Sequence, residues 1–245
     1  MTETQNSELL TYEAVKAGGQ RVVPSMDFLR LRWFFKGSIE VSIHVLEDAT
    51  DSTSAQTPYQ ITVATSTPDG QAIQQVQQHV ISSSSISDLP ISSIEVRLAD
   101  LNYWEERWED AHRPEESCSA IWIDDGPEGE RKAIQCCGED RPYLNSPIPS
   151  LTVKASKEPK PFVTIHDFIT AVHPWMSALE DDIRHSRGVI RGTPVPKKAN
   201  LFVHNSSLSP LRTIDDLGQS PATVAYGRRN VAAMTTRIRD GTSPA

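Results

Sequence analysis

The chain has 245 residues, with 24 Lys and Arg against 32 Asp and Glu for a formal charge of −8, and 38% of it is hydrophobic. That apolar share suffices to bury a core and is too high for a wholly disordered chain, while the acidic balance argues against a general nucleic-acid binder, which needs cations to displace phosphate counterions. No window approaches the roughly 18 apolar residues of a membrane span, and Met1–Leu10 lacks a leader's basic start and apolar run, so a protein with neither is expected.

In chain order, residues 1–25 are polar with a Gly18-Gly19 break and are expected as a flexible arm, with a short helix around Leu9–Lys16. Phe28–Phe35 is rich in strand formers. After Lys36-Gly37, the residues Ile39, Val41, Ile43 and Val45 alternate with Ser38, Glu40, Ser42 and His44. This period of two predicts a half-buried strand and, with the short turn, a hairpin. Tyr59–Val63 predicts another strand, ended by a Pro68-Asp69-Gly70 turn. Ile73, Val76 and Val80 follow at helical spacing and favour a short helix over a returning strand. Ile94–Leu98 reads as a strand. Asp100 then caps a predicted helix whose Leu101, Trp104, Trp108 and Ala111 share a face.

Between Ile94 and Asp140 fourteen acidic residues stand against five basic ones, so the rest of the chain is close to neutral. Ser119–Ile123 and Arg131–Cys136 predict a hairpin with an acidic loop. Prolines then punctuate a linker-like stretch holding one short strand, Leu151–Val153. The strongest helix signal is Thr164–Arg187. Thr164 and Asp167 resemble a capping box, and Ile165, Phe168, Ile169, Val172, Trp175, Met176, Leu179 and Ile183 hold one face, with Pro174 predicting a kink or a split. Leu201–His204 predicts a late strand, and Pro221–Ile238 a weak helix. A single domain is expected over 26–208, followed by a weakly ordered tail at 209–245.

The motifs exclude more than they select. GxSxG, GxGxxG and GxxxxGK[ST] are all absent, so no nucleophile elbow or phosphate-binding loop of those kinds is expected. Cys118, Cys136 and Cys137 make a poor disulfide framework and contain no CxxC spacing. The adjacent pair is expected as reduced thiols on opposite faces of a strand, which fits a reducing, cytoplasmic setting. His166 and His173 border the apolar face of the long helix. At seven residues apart they are about 10.5 Å apart along its axis, too far to share one metal, so no metal or other cofactor is expected and the two remain candidates for proton transfer. Trp104, Trp108 and Trp175 are candidates for lining a hydrophobic ligand pocket, in competition with a core role. Glu105, Glu106, Glu109 and Asp110 are the candidate surface for a basic partner.

The run Lys160-Pro161-Phe162-Val163-Thr164-Ile165-His166-Asp167-Phe168-Ile169-Thr170-Ala171-Val172-His173-Pro174-Trp175-Met176, followed by Leu201-Phe202-Val203, resembles the C-terminal part of a group of small proteins from filamentous fungi. The resemblance implies a fungal source and carries no activity with it. The expected fold is α+β, a mostly antiparallel sheet of about six to eight strands covered by one long kinked helix and one or two shorter ones. The expected function is non-catalytic binding of a basic protein through the acidic segment. The alternative is a cofactor-independent isomerase or cyclase acting on a small hydrophobic ligand in fungal specialised metabolism, with His166 or His173 moving the proton.

Overall fold

The computed structural model describes residues 9–66, 69, 71–117, 119–125, 129–156 and 160–215. Pro68, Gly70, Cys118 and the helix expected at Pro221–Ile238 lie outside them. The elements begin with helices α1 (Tyr12–Ala17) and α2 (Met26–Leu29), strand β1 (Leu31–Phe34), helix α3 (Ile39–Ser42) and strands β2 (Ile43–Leu46), β3 (Gln56–Pro58), β4 (Gln60–Ser66), β5 (Ala72–Gln78) and β6 (Ser93–Arg97). Helices α4 (Ala99–Asn102) and α5 (Trp104–His112) follow, then strands β7 (Ile121–Asp124), β8 (Arg131–Cys136), β9 (Glu139–Asp140) and β10 (Ser150–Lys154). Helices α6 (Ile165–Ala178) and α7 (Glu180–Gly188) and strands β11 (Leu201–His204) and β12 (Arg212–Asp215) complete the described chain.

The fold is α+β with antiparallel strand pairing, but the strands do not form the single sheet expected. Among the described residues they divide into a five-stranded sheet in the order β12-β11-β1-β2-β3, the pairs β10-β6 and β4-β5, and the triplet β7-β8-β9. The predicted hairpin exists, with Leu31 opposite Val45 and Trp33 opposite Ile43. Its connection is longer than the alternation implied, because Ile39–Ser42 turns as a helix. Gly37 sits at φ +113, where a side chain would strike the Ser42 hydroxyl, and that buried hydroxyl donates to the Lys36 carbonyl at 2.8 Å. Val41, expected on the buried face of a strand, is therefore solvent-exposed.

Where a helix is expected from Ile73, Val76 and Val80, the first two lie in strand β5, and Val80 opens a 3-10 turn beyond it. The strand pairs with β4 from Gln60↔Gln78 to Ser66↔Ala72 and lies exposed along its whole length. No buried face selects a period there, so the apolar spacing was uninformative. The segment 9–25 expected as a loose arm carries α1, capped by Thr11, and packs Tyr12 and Val15 into the core. Residues 209–215, expected as tail, include β12 against β11.

Helix α6 starts as the sequence indicates. The Thr164 hydroxyl accepts from the Asp167 amide at 3.1 Å, and the Asp167 carboxylate accepts from the Thr164 amide at 2.9 Å. Burial disfavours charge on Asp167, yet hydrogen bonds from Ser156 and Thr164 outweigh it and hold the carboxyl below its usual range. The single long helix is not formed. Pro174 is accommodated inside α6, and the break falls at Leu179, whose backbone (φ −99, ψ 12) leaves the helical region before α7 begins. Pro174 lies on an exposed position, where its missing donor costs least.

Phe168, Ile169, Val172 and Met176 enter the core, with Phe168 edge-on to Phe28 and Trp33. Trp175 and Leu179 pack at its margin, and His173 is buried in their place. The Trp33 indole N–H donates to His173 Nδ1 at 2.9 Å, and His173 Nε2 donates to the Gly37 carbonyl at 2.7 Å. Trp33 can only donate and a carbonyl can only accept, so the neutral Nε2–H tautomer is the one both partners need.

Two predictions follow from these buried polar contacts. Replacing His173 by Leu strands the buried indole N–H and is expected to lower stability by about 1–3 kcal/mol in urea unfolding; an unchanged midpoint would show the relay to be dispensable. Separately, burial, with the charge of Arg212, holds the His204 imidazole below its usual range. Burial, then Arg30, does the same for His79, with Asp27 opposing. The unfolded chain is then the stronger proton binder, so this contribution to stability is intact above about pH 6.5 and is lost as pH falls. A His79→Gln/His204→Asn variant is expected to show a flatter decline of urea midpoint on acidification, and parallel declines would refute the assignment.

Candidate functional site

Helix α5 ends where Arg113 takes a left-handed conformation (φ 41) and its amide bonds the Glu109 carbonyl. This turns the chain through Pro114 toward the β7–β8 hairpin. Trp122 faces Ala133 across the hairpin and Asp124 faces Arg131, and the Asp125 amide bonds the Glu130 carbonyl at 2.7 Å beyond the last pair. Between helix end and hairpin lies an open cleft of about 710 Å³ lined by Glu109, Asp110, Glu115, Trp122, Asp125 and Glu130, among others. The Arg131 guanidinium sits 5.3 Å from the centre of the half-buried Trp122 ring, within cation–π range.

Apart from Arg131 over Trp122, and Arg113 paired with Glu116, the charges of the cleft fall into two groups. Arg141, its side chain nearly buried, donates to Glu105 at 2.6 Å, to Glu109, and to the Ala133 carbonyl at 3.1 Å. Lys132 also reaches Glu105 at 3.2 Å. Burial disfavours charge on Glu105, but the bonds from Arg141 and Lys132 prevail and hold its carboxyl below the usual range. Asp110, Glu115, Asp125 and Glu130 form the other group. They have no counter-ion among the described residues, while exposed Glu116 meets Arg113 at 3.5 Å.

The four acids singled out from sequence are thus divided. Glu109 and Asp110 line the cleft, Glu105 and Glu109 are neutralised within the chain, and Glu106 is exposed outside it. Sequence reading gave Glu115 no place in this cleft and read the Asp124–Glu130 loop as an acidic hairpin tip. Their approach depends on the turn after α5, which leaves no local pattern.

Among the described residues the three candidate tryptophans are packing residues. Trp108 is 1% exposed, Trp104 packs edge-on to Tyr143, and Trp175 borders the core, so all three serve packing. The histidines are not brought together either. Both ring nitrogens of His173 are committed, so it has no atom left for a substrate. His166 is half-buried, with Nε2 3.2 Å from the Gln78 side-chain nitrogen and Nδ1 buried without a hydrogen-bond partner. Neither lines the acidic cleft. Among the described residues no group of three His, Cys, Asp or Glu side chains is placed to hold a metal ion.

Cys136 and Cys137 do not point to opposite faces of a strand. Cys136 ends β8 and is buried. Cys137 follows at φ 54, which swings its exposed thiol to within 3.6 Å of its neighbour. Hydrogen bonding from Ser119, then Cys136 and Ser117, draws the Cys137 thiol below its usual range against burial and the charge of Glu139.

Compared with known proteins, the chain matches no family model, and no curated protein or solved structure matches it significantly.

Iodoacetamide at neutral pH is expected to label Cys137 well before Cys136, and Ser119→Ala to slow that labelling. Equal rates at the two thiols, read by peptide mass spectrometry, would contradict this geometry.

Proposed function

We propose that the chain is an intracellular, non-catalytic binding protein whose acidic cleft receives a basic segment of a partner protein. The observation that carries this reading is the convergence of Asp110, Glu115, Asp125 and Glu130, each without a counter-ion among the described residues, around one cleft beside an aromatic ring. Lys or Arg side chains would meet the free carboxylates with their heads, beside the Arg131 guanidinium that already covers Trp122. The carboxylates are exposed, so each pair contributes only about 0–1 kcal/mol, and recognition rests on several acting together and on electrostatic steering. The likeness of Lys160–Met176 to small fungal proteins supports a filamentous-fungal source, and the free thiols of Cys136 and Cys137 support a reducing compartment.

Fluorescence anisotropy with a labelled Lys/Arg-repeat peptide tests the assignment. Added salt is expected to weaken capture, and Asp110→Asn/Glu115→Gln/Asp125→Asn/Glu130→Gln to reduce affinity about tenfold or more, at a few tenths of a kcal/mol per pair. Glu106→Gln, outside the cleft, is expected to change little. Equal capture by the quadruple variant and the parent would rule the cleft out.

A further inference from the structure

A second cleft carries the opposite charge. Arg107 on α5, Arg187 on α7, Arg191 in the turn after α7 and Arg212 at the start of β12 all line a cavity of about 630 Å³, with Asp100, Tyr103 and Asp215 completing much of its wall. These residues are scattered over more than a hundred positions and meet only because α4, α5, α7 and β12 pack together.

A buried carboxylate organises the cluster. Asp100, 3% exposed, accepts from the Thr213 amide at 3.1 Å and its hydroxyl at 2.8 Å, and pairs with Arg187 at 3.3 Å and Arg107 at 3.7 Å. Arg107 also donates to the Ser186 hydroxyl at 3.3 Å, and that hydroxyl donates to the Asp100 carbonyl. Arg187 further donates to Asp215 at 2.6 Å and to the Thr213 carbonyl, while its Nε is buried without a hydrogen-bond partner. Two guanidinium groups are thereby held in place before any ligand arrives.

Arg191 and Arg212 differ. Both are exposed, and among the described residues neither has a carboxylate or a hydrogen-bond acceptor. Among the described lining residues four cations face two carboxylates, an excess of two positive charges, in a chain whose formal charge is −8. Among the described residues neither arginine is tied to another element by an ion pair or side-chain hydrogen bond, and like charges brought together repel unless something balances them.

We propose that this cleft binds a phosphate monoester. Such a group carries about −1.5 to −2 charge at pH 7 and three acceptor oxygens, which answers the excess charge and the free forks of Arg191 and Arg212. Guanidinium recognises phosphate through paired hydrogen bonds, and the volume falls within the roughly 300–1,000 Å³ range of small-ligand sites. The site is separate from the acidic cleft, so its fate does not depend on the proposal above.

Titration calorimetry of the full chain with methyl phosphate, and with acetate as a monoanionic comparison, tests the proposal. Saturable phosphate binding is expected, with acetate at least about tenfold weaker because it lacks the second charge and third oxygen. Arg191→Gln/Arg212→Gln is expected to weaken methyl phosphate about tenfold or more, since charge-assisted bonds are lost. Neither side chain has a bonded partner among the described residues, so that variant is expected to keep its thermal midpoint. The charge-matched control Lys36→Gln/Lys198→Gln, outside the cleft, is expected to bind as the parent does. Absence of saturable phosphate binding, acetate bound as tightly as phosphate, or equal losses in the arginine variant and the lysine control would each overturn the assignment.

Discussion

The contact on which the architecture turns is the relay from the Trp33 indole through His173 to the Gly37 carbonyl. It joins the central strand of the largest sheet, the middle of α6 and the turn leading into α3. Hydrophobic burial alone would hold α6 against the sheet in many rotations. A buried N–H that must find its acceptor admits few, because leaving it unmet costs more than the bond itself contributes. The turn that presents this carbonyl requires glycine at 37, since at its φ of +113 an added side chain would collide with Ser42. Phe168 then falls between Phe28 and Trp33, and the rest of the core closes around this layer.

The two clefts share one helix. Helix α5 lends Glu109 and Asp110 to the acidic one and Arg107 to the basic one, and Trp108 between them is buried and anchors the helix. Each cleft contains both paired and unpaired charges. Arg141 and Lys132 with Glu105 and Glu109, and Asp100 and Asp215 with Arg107 and Arg187, form internally balanced scaffolds. The unmatched groups sit beside them on the exposed side. A charge held by a partner keeps its geometry, while one without a partner supplies the field.

How much of this was legible from sequence depends on whether a buried face left its period in the chain. Helix α6 was readable down to its capping box, because one side of it enters the core at regular intervals and Thr164 and Asp167 are local signals. Its end was not, since Pro174 was accommodated and the break moved to Leu179. The β1–β2 hairpin was found but its turn misjudged, because Ser42 is buried for a hydrogen bond and Val41 is exposed. The acids were recognised as a group, but their division by Arg141 was invisible, as that residue lies 36 positions from Glu105 and 32 from Glu109. Asp100 was read as a helix cap, the usual role for an Asp at such a boundary, when its carboxylate is spent on Thr213 and two arginines. The arginine cleft had no sequence signature at all.

The β4–β5 ribbon has a consequence for the protein in concentrated solution. Glu40 covers part of the outer side of β4 by accepting from Thr62, but no described strand lies along the outer side of β5, whose seven residues are uncharged and contain no proline. Lysine, proline or a bulge commonly blunts such an edge. In their absence, separation of neighbouring molecules falls to mutual repulsion between net-negative chains, which vanishes near the isoelectric point of about 5.4. Mild acid therefore removes that repulsive barrier to ribbon-to-ribbon zippering.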